Sequence, residues 1–400
     1  MREAVVVAYG RSAIGKSPKG VLKDTRPEEY CAQVIKGVLA KMPANFDPEI
    51  INDLILGCAF QEAETGTNVA RNIGLLAGLP ESVAGQTVNR FCSSGLQAIS
   101  MAANAIKVGE ADCIMAGGVE TMSMVPMGGN LNVPNVELGC NVNQRAMTAM
   151  GNTAENLAVK YDISREEQDA FALDSHRKAI RAQDEHRFDE QIIPVDAVKY
   201  RMNHETGHVE KYKVPFTVDE GVRRGLTPEK MASLKTVFKK GGSVTAGNAS
   251  QMNDAAAIVI LMSAEKAKEL GIKPIAKFLG FEVAGVDPAY MGIGPAVAIP
   301  KVLKYTGLKM EDIDLWELNE AFSSQALACI KELHMEDALK EERINPNGGG
   351  VALGHPLGCT GAMLTCKLLA ELKRQGKKYG VVSMCIGGGM GAAGVYEMCD

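Results

Sequence analysis

The sequence predicts an α/β protein built from two similar halves, with a large segment inserted into the first half. Short apolar, β-rich runs alternate with helical patterns in both end regions, which is typical of a mainly buried sheet flanked by helices. A chain of 400 residues is long for one hydrophobic core, so two compact units with a shared interface are expected. The order of elements around two glycine-rich helix starts is also repeated, which indicates duplication.

The first half shows the alternation from its N-terminus. Predicted strands lie at 4–8, 53–57, 83–89 and 113–116, and predicted helices at 28–41, 68–77 and 93–108. This pattern ends near Gly117. We therefore assign residues 1–117 to the first half.

The middle of the chain is different in composition. Residues 118–249 are richer in methionine, asparagine and charge, with one clear helix at 165–183. We interpret them as a large excursion from the first half, without a sheet of its own. The apolar run at 255–262 returns to strand character, so 250–272 rejoins the first half and 273–400 forms the second.

The repeat consists of a helix start, a strand and a glycine run. In the first half these are Ser93-Ser94-Gly95, Asp112–Ala116 and Gly117-Gly118. In the second half they are Cys359-Thr360-Gly361, Gly380–Cys385 and Gly387-Gly388-Gly389. Because the order matches twice, the repeat favours two halves of common architecture.

Composition and charge exclude several classes of protein. Hydrophobic residues at 46% and charged residues at 23% describe a globular chain. The net charge of −5 argues against nucleic-acid binding. The longest apolar run is too short for a membrane span, and the N-terminus does not resemble a signal peptide. Among the ten cysteines no C-x-x-C pair predicts a metal site. Cys31 and Cys113 lie in apolar patterns, as expected for reduced core residues of a cytoplasmic protein.

One motif is misleading. Residues 10–17, GRSAIGKS, satisfy the pattern of a phosphate-binding loop. Such a loop must run directly into a helix whose N–H groups hold the phosphate, yet Ser17 is followed by Pro18, Lys19 and Gly20. We predict a turn after an edge strand, no ATP binding, and no effect on activity when Lys16 is replaced.

Reactive side chains stand beside glycines in three segments. Cys92 lies between a strand-like run and a helical pattern, where the helix dipole favours a thiolate. The dipole contributes up to about 1 kcal/mol, whereas lowering a thiol pKa from ~8.5 to ~7 requires about 2 kcal/mol. A second partner is therefore needed, and His355 in the glycine-rich stretch 348–358 suits a general base. The remaining histidines lie in polar stretches and are expected to be exposed: His176, His186, His204, His208 and His334.

The third segment is Cys385 and the glycine run that begins at Gly387. A cysteine there can donate or accept a proton beside backbone N–H groups that could hold an oxyanion. A fourth, quieter residue is Asn319 at a predicted strand end. Its amide could position a water, although a helix N-cap is the ordinary role of such an asparagine.

The motifs NRFCSSGLQAI, NEAF, GGGVALGHPLGCTGA and CIGGGMGAA, in this order, resemble those of thiolases of the acetyl-CoA acyltransferase group. The resemblance covers essentially the whole chain. It implies two α/β halves in five layers, a loop domain over the site, and a homodimer or homotetramer. It implies no tightly bound cofactor; coenzyme A and acyl-CoA are substrates.

The resemblance also implies roles for individual residues. Cys92 resembles the acyl-accepting nucleophile, His355 its base, and Cys385 the acid/base at the α-carbon. Asn319 resembles the residue that holds the water of one oxyanion hole, and the N–H groups of Cys92 and Gly387 resemble the other hole. Residues that resemble contacts of coenzyme A are Ser250, Phe238, Arg223, Met150, Met291, Ala321 and Phe322. Six basic residues between Arg223 and Lys240 suit a phosphate-rich ligand, with a solvated helix face as the alternative.

The expected reaction is thiolysis of a 3-ketoacyl-CoA, or its reverse, a Claisen condensation. Three segments look closer to those of broad-chain 3-ketoacyl-CoA thiolases than to those of acetoacetyl-specific ones: MGIGPA, ALGHPLGCTGA and YGVVSMCIGGGMGAA. Relatives of the biosynthetic type often carry histidine where this chain has Ala149. The alternatives are an acetoacetyl-CoA-specific thiolase, a ketoacyl synthase-like enzyme, which would lack Cys385 and carry histidine in place of Asn319, and an inactive acyl-CoA-binding scaffold.

Overall fold

The computed structural model describes residues 2–399. Its strands are β1 (Ala4–Arg11), β2 (Gly15–Lys16), β3 (Asp53–Gly57), β4 (Ala84–Val88), β5 (Cys113–Thr121), β6 (Val195–Met202), β7 (Val209–Phe216), β8 (Asn253–Ser263), β9 (Ala276–Gly285), β10 (Leu315–Leu318), β11 (Tyr379–Ile386) and β12 (Met390–Met398). Its helices are α1 (Pro27–Leu39), α2 (Val69–Leu76), α3 (Ser94–Val108), α4 (Met150–Lys160), α5 (Arg165–Asp184), α6 (Pro228–Ala232), α7 (Ala264–Glu269), α8 (Gly294–Thr306), α9 (Ser323–Glu332), α10 (Glu336–Lys340) and α11 (Leu357–Gln375).

The two halves share one strand topology. In the first half the order is β3-β5-β8-β1, with a parallel first pair and two antiparallel pairs after it. In the second half the order is β10-β11-β12-β9, again with one parallel pair followed by two antiparallel pairs. A short pairing of β1 with β9 joins the halves. The duplication predicted from the repeated helix starts is confirmed, because α3 precedes β5 as α11 precedes β11.

Five layers result from this arrangement. Helices α3 and α11 pack against each other and against strands of both halves, so they form the middle layer. Helices α1 and α2 cover the outer face of the first half, and α8 and α9 cover that of the second. The central helices approach closely at two glycines. A Cβ atom on Gly95 would lie 2.8 Å from the backbone nitrogen of Ala362, and one on Gly361 would lie 2.4 Å from that of Leu96.

The structure corrects the sequence interpretation of the middle region. Strand β5 does not end near Gly117 but continues to Thr121, because Gly117 and Gly118 pair with Ile258 and Ala257 of β8. The excursion also has a small sheet of its own, the β6-β7 hairpin. It contains α4 in addition to the predicted long helix, which is α5. The division of the chain at residues 118, 250 and 273 remains an interpretation.

A buried ion pair fastens the excursion to the first half. The guanidinium of Arg11 donates to both carboxylate oxygens of Asp219 at 2.8 and 2.9 Å, and to Gln191 at 2.7 Å. Both charged side chains of the Arg11–Asp219 pair are fully buried. A buried charge must be paired and hydrogen-bonded to be tolerated. The pair therefore fixes the segment after Asp219 against β1.

The motif at residues 10–17 is a strand, a turn and a second short strand. Residues 10 and 11 end β1, and Gly15 and Lys16 form β2 against Asp254 and Asn253 of β8. A short 3-10 helix follows only at Val21–Asp24. The expectation that no helix follows Ser17 directly is therefore confirmed. The expectation of an edge strand is wrong, because β1 pairs with both β8 and β9. In the described part of the chain, no helix has the length and apolar character needed to cross a membrane.

Candidate active site

Cys92 lies in a single 3-10 turn, Phe91–Ser93, between β4 and α3. Phe91 has a positive φ of 41°, an uncommon conformation for a bulky residue. The turn is held by its own polar side chains, since Asn89 accepts the N–H of Phe91 and Ser94 accepts that of Arg90, each at 2.8 Å. Local hydrogen bonding thus presents the Cys92 thiol at the N-terminus of α3.

The environment of Cys92 keeps its thiol protonated at rest. The side chain is only 9% exposed, and burial raises the pKa of Cys92 to about 11. The N–H of Gly387 and its own N–H bond to the sulfur and act in the opposite direction. The backbone N–H groups at the start of the helix thus favour the thiolate, but they do not offset the desolvation of the sulfur.

His355 is held by hydrogen bonds of its backbone and of its imidazole, and the second decides its tautomer. Its backbone N–H donates to the side chain of Asn253 at 2.9 Å. Its Nδ1 lies 2.7 Å from the hydroxyl of Thr360, and that hydroxyl donates to the carbonyl of Pro356 at 3.0 Å. The hydroxyl has one proton to give, so it accepts from Nδ1–H and leaves Nε2 as the basic nitrogen. Burial lowers the pKa of His355 to about 4, so the imidazole is neutral.

Asn319 follows β10 and contacts the histidine. Its amide nitrogen lies 3.4 Å from Nε2 of His355. Its backbone N–H donates to the carbonyl of Ser383 in β11. The next helix, α9, begins at Ser323 with Phe322 as its N-cap, so Asn319 is not the alternative, a helix N-cap. The side-chain oxygen is buried and has no hydrogen-bond partner within residues 2–399. Because buried polar atoms are normally satisfied, this oxygen is suited to hold a water.

Cys385 is fully buried in β11, one residue before that strand ends. Burial raises its pKa well above the ordinary range, and the sulfur of Cys92 is near enough to add to the shift. The turn that follows needs glycine, since Gly388 and Gly389 have φ values of 85° and 87°. This turn directs the N–H of Gly387 at Cys92.

The five predicted catalytic residues come from four segments that meet at the central helices. Cys92, Cys385 and Gly387 form one contact group, and Asn319 and His355 form another. The start of α11, two residues beyond His355, packs against the turn that carries Cys92. The site therefore lies at the seam between the two halves.

A cavity of about 550 Å³ leads to His355. Five of the seven predicted coenzyme A contacts line it: Ser250, Phe238, Arg223, Met150 and Phe322. The other two, Met291 and Ala321, are buried behind its wall in an apolar cluster with Cys385. The wall is mostly apolar, as is usual for ligand pockets. Its further members are Lys16, Ser17, Met122, Met127, Ala149, Gly151, Val237, Ala246, Ala249, Gln251, Met252 and Leu357.

Backbone pairing and a ring contact join the end of the excursion to the segment that follows Asn319. The backbone N–H of Ser250 donates to the carbonyl of Ala321 at 2.9 Å. Ala249 and Phe322 form an isolated β-bridge. The rings of Phe238 and Phe322 pack edge to face with centroids 6.0 Å apart. One wall of the cavity is thus built by residues that are distant in sequence.

The basic stretch from Arg223 to Lys240 is less concentrated on the site than its composition indicates. Arg223 lines the cavity, but Arg224 pairs with Asp184 at 2.6 Å. The lysine at position 230 donates to the carbonyl of Gly225. Lys235, Lys239 and Lys240 are exposed outside this cavity. The solvated-surface alternative therefore accounts for most of the six.

Sequence reasoning missed several residues of the site. Lys16 and Ser17 line the cavity, although the motif containing them predicts an uninvolved turn. His176 was expected to be exposed but is only 2% exposed, and its Nδ1 accepts the N–H of Arg223 at 3.2 Å. Burial and the nearby charges of Arg223 and Lys16 lower its pKa to about 4. No local pattern marks these contacts, because they form between distant segments.

Glu120 was also missed. Its buried carboxylate accepts the N–H of Gly358 at 2.7 Å and that of Ala59 at 2.8 Å. Gly358 belongs to the first turn of α11, so a carboxylate occupies that helix N-terminus. Burial raises the pKa of Glu120 to about 7. The carboxyl group lies near enough to Cys92 to raise the thiol pKa.

Two family profiles cover nearly the entire chain. The profile described as "Thiolase, N-terminal domain" matches residues 4–265, and "Thiolase, C-terminal domain" matches residues 272–398. The chain belongs to the thiolase family. As a thiolase it is an acyltransferase, and the fold class predicted from the sequence is confirmed.

Relatives and solved structures agree with this assignment. The chain is 50% identical over 399 residues to the 3-ketoacyl-CoA thiolase of Bacillus subtilis (strain 168), covering 100% of both chains. It superposes on the crystal structure of the Bacillus anthracis acetyl-CoA acetyltransferase with a TM-score of 0.88 at 43% identity, covering 100% of this chain and 99% of the other. The dimeric peroxisomal thiolase of Saccharomyces cerevisiae gives a TM-score of 0.88 at 38% identity, with coverage of 100% and 98%.

Proposed function

We propose that this thiolase cleaves 3-ketoacyl-CoA with coenzyme A to acetyl-CoA and a shortened acyl-CoA, or runs the reverse condensation, through an acyl-Cys92 intermediate. The observation that carries the proposal is the contact of the Cys92 sulfur with the N–H of Gly387, beside the Cys385 thiol. A nucleophile, an oxyanion donor and a second proton carrier would then act at one point. The identity to a named 3-ketoacyl-CoA thiolase supports the same substrate class.

In the first step the Cys92 thiol gives its proton to Nε2 of His355, and the sulfur attacks the 3-keto carbon. The keto oxygen becomes an oxyanion, which the N–H groups of Cys92 and Gly387 stabilise. The resting thiol and imidazole are both neutral. Proton transfer therefore accompanies attack rather than preceding it.

In the second step the bond between the α-carbon and the keto carbon breaks. The electron pair leaves as the enolate of acetyl-CoA, whose oxygen accepts from the newly formed Nε2–H of His355 and from a water held by Asn319. Cys385 protonates the α-carbon and becomes a thiolate. The unsatisfied oxygen of Asn319 supports this role for the amide.

In the third step coenzyme A gives its thiol proton to Cys385 and attacks the acyl group on Cys92. The Cys92 thiolate leaves and recovers its proton from His355. All protons are then back on their starting atoms. The side chains of Cys92, His355 and Cys385 can therefore serve the condensation by the same steps in reverse order.

We propose a broad chain-length range over strict acetoacetyl-CoA specificity. The cavity wall near Met150 is apolar, and Ala149 is small. The second candidate remains an acetoacetyl-specific enzyme, since the superposed Bacillus anthracis protein is called an acetyl-CoA acetyltransferase. Steady-state thiolysis rates for acetoacetyl-CoA and for 3-ketoacyl-CoA with longer chains decide between them. A kcat/KM that drops by about a hundredfold or more with chain length would favour the second candidate.

Two other candidates are less well supported. A ketoacyl synthase is expected to lack Cys385 and to carry histidine in place of Asn319, and this chain has both thiolase residues. An inactive scaffold has no need for the intact set of Cys92, His355 and Cys385. Absence of thiolysis and condensation with every acyl-CoA tested would favour the scaffold.

We further propose that the protein is a homodimer or homotetramer in the cytoplasm. Strand β4 is the last strand of the large sheet and has one edge without a partner strand in residues 2–399. Such an edge usually needs cover, and the superposed yeast thiolase is described as dimeric. The nine cysteines from Cys31 to Cys385 form no disulfide in the described chain, which suits a reducing compartment. Light scattering during gel filtration gives the oligomeric state, and fractionation of the cells gives the location.

A further inference from the structure

Two half-buried cations at the cavity have no anionic partner among the residues that the structure describes. Lys16 and Arg223 both line the cavity that ends at His355. Their backbone N–H groups are bound, but neither side chain forms an ion pair or a hydrogen bond within residues 2–399. The neighbouring Arg224, in contrast, pairs with Asp184 at 2.6 Å. Unpaired cations beside an apolar wall are unfavourable, so a ligand anion would stabilise them.

The position of Lys16 is fixed by its backbone rather than by its side chain. Lys16 ends β2, where it pairs with Asn253 of β8. Its N–H donates to the carboxylate of Glu220 at 2.9 Å, and the same carboxylate accepts the N–H of Val21 at 3.0 Å. Glu220 is the nearby acid, and its oxygens are engaged by these backbone donors. The ammonium of Lys16 therefore remains available to a ligand.

Three neighbours make this place suited to phosphate. The hydroxyl oxygen of Ser17 is buried and has no partner in the described chain. Arg223 lines the same cavity as Lys16, and the charges of both lower the pKa of His176. The imidazole of His176 accepts the N–H of Arg223 and stays uncharged. An ammonium, a guanidinium and a hydroxyl can together bind the oxygens of one phosphate or pyrophosphate group.

We propose that Lys16, with Ser17 and Arg223, binds the phosphates of the coenzyme A nucleotide. The proposal rests on the proposed function, because it assumes an acyl-CoA substrate. The lysine and serine of the motif at residues 10–17 then contact phosphate through their side chains, without the loop-and-helix geometry that ATP binding requires. Replacement of Lys16 is then expected to weaken substrate binding, contrary to the expectation from the motif alone.

The experiment measures single-turnover acetylation of Cys92 by three donors: acetyl-CoA, acetyl-dephospho-CoA and acetyl-pantetheine. Intact-protein mass spectrometry gives the rate at each donor concentration. Lys16→Ala should raise the half-saturating concentration of acetyl-CoA by about tenfold and leave the maximal rate nearly unchanged. It should leave acetyl-pantetheine, which has no phosphate, unaffected. Lys16→Arg should retain most of the affinity, and Lys19→Ala, on the exposed part of the same turn, should behave as the unaltered protein.

Acetyl-dephospho-CoA locates the contact. A loss that persists with this donor assigns Lys16 to the pyrophosphate, and a loss that disappears assigns it to the 3′-phosphate. An equal loss with acetyl-pantetheine, including one caused by misfolding, would overturn the proposal, as would no loss with acetyl-CoA. Failure of the unaltered protein to be acetylated by any of the three donors would instead overturn the proposed function.

Discussion

The N-termini of the two central helices, α3 and α11, occupy equivalent places in the two halves and differ in what fills them. At α3 the N-terminus faces Cys92, whose sulfur accepts the N–H of Gly387. At α11 the N-terminus is closed by the carboxylate of Glu120, which accepts the N–H of Gly358 at 2.7 Å. Cys359 beside it is completely buried. Both helices therefore have a positive N-terminus. That of α11 is occupied by the carboxylate of Glu120, whereas that of α3 is available to the reaction at Cys92.

This difference teaches that a cysteine at a helix N-terminus is not reactive by position alone. Cys92 and Cys359 both lie in a first helical turn or next to it, yet burial raises both thiol pKa values. What separates them is access and partners. Cys92 retains 9% exposure and has an oxyanion donor in Gly387, whereas Cys359 has no exposure.

The largest effect is expected from replacing Cys92 at the N-terminus of α3. Cys92→Ala should abolish acyl-enzyme formation and lower the thiolysis rate by at least about 10⁴-fold, because no other thiol in residues 2–399 combines access with the oxyanion donor. Acetylated peptides are mapped after incubation with acetyl-CoA. The matched control, Cys359→Ala, should keep its rate within a few-fold and lose about 1 kcal/mol of stability. Acetylation found chiefly at Cys359 or Cys366 would show that Cys92 is not the acyl-accepting thiol.

The next largest effect distinguishes the role of the Cys385 thiol from that of Cys92. Cys385→Ser keeps the shape but replaces a thiol with a much weaker acid. Condensation and thiolysis should therefore fall by about a hundredfold or more, and further than acetylation of Cys92 from acetyl-CoA. Cys329→Ser is the control, since Cys329 is equally buried and its thiol donates to the carbonyl of Gly292. Equal losses in both steps would assign Cys385 a structural role.

The next test measures how much the Glu120 carboxylate at the N-terminus of α11 contributes to the free energy of unfolding. Glu120→Ala removes the acceptor of the N–H groups of Gly358 and Ala59, and each unsatisfied buried donor costs about 1–3 kcal/mol. We expect urea denaturation to show a loss of about 3 kcal/mol or more, with Glu120→Gln losing less. A loss below about 1 kcal/mol would show that water replaces the carboxylate.

The pH dependence of the free energy of unfolding is a second test of the buried Glu120 carboxyl group. The pKa of Glu120 is raised to about 7 in the fold from about 4.5 in the unfolded chain. Between these values the folded state holds more protons, so stability falls as pH rises from 4.5 to 7. Glu120→Gln should remove up to about 3 kcal/mol of this decline. Glu317, whose pKa is also raised to about 7, should maintain a residual decline.

The smallest effect concerns the resting state of Cys92. With a pKa of about 11, roughly one thiol in 10⁴ is ionised at pH 7. Alkylation of Cys92 by iodoacetamide should therefore rise about tenfold per pH unit from pH 7 to 9. A plateau below pH 8 would indicate a preformed thiolate–imidazolium pair with His355. Mass spectrometry of the peptide that contains Cys92 gives the rate.

The sequence by itself determined the local features of this protein. Alternating apolar runs located most strands and helices, and the glycines around Cys92, His355 and Cys385 marked the reactive segments. These signals are local, since a helix start, a strand end and a glycine turn each depend on a few adjacent residues. The family motifs added the order and the separation of those segments.

Only the tertiary structure decided what faces each reactive group. The carboxylate of Glu120 at α11, the buried imidazole of His176 and the place of Lys16 in the cavity wall arise from contacts between distant segments. The same holds for the raised pKa of Cys92, because desolvation depends on everything packed around the thiol and exceeds the effect of the backbone N–H groups. Charge and burial are sums over the whole fold, and a linear pattern contains no record of them.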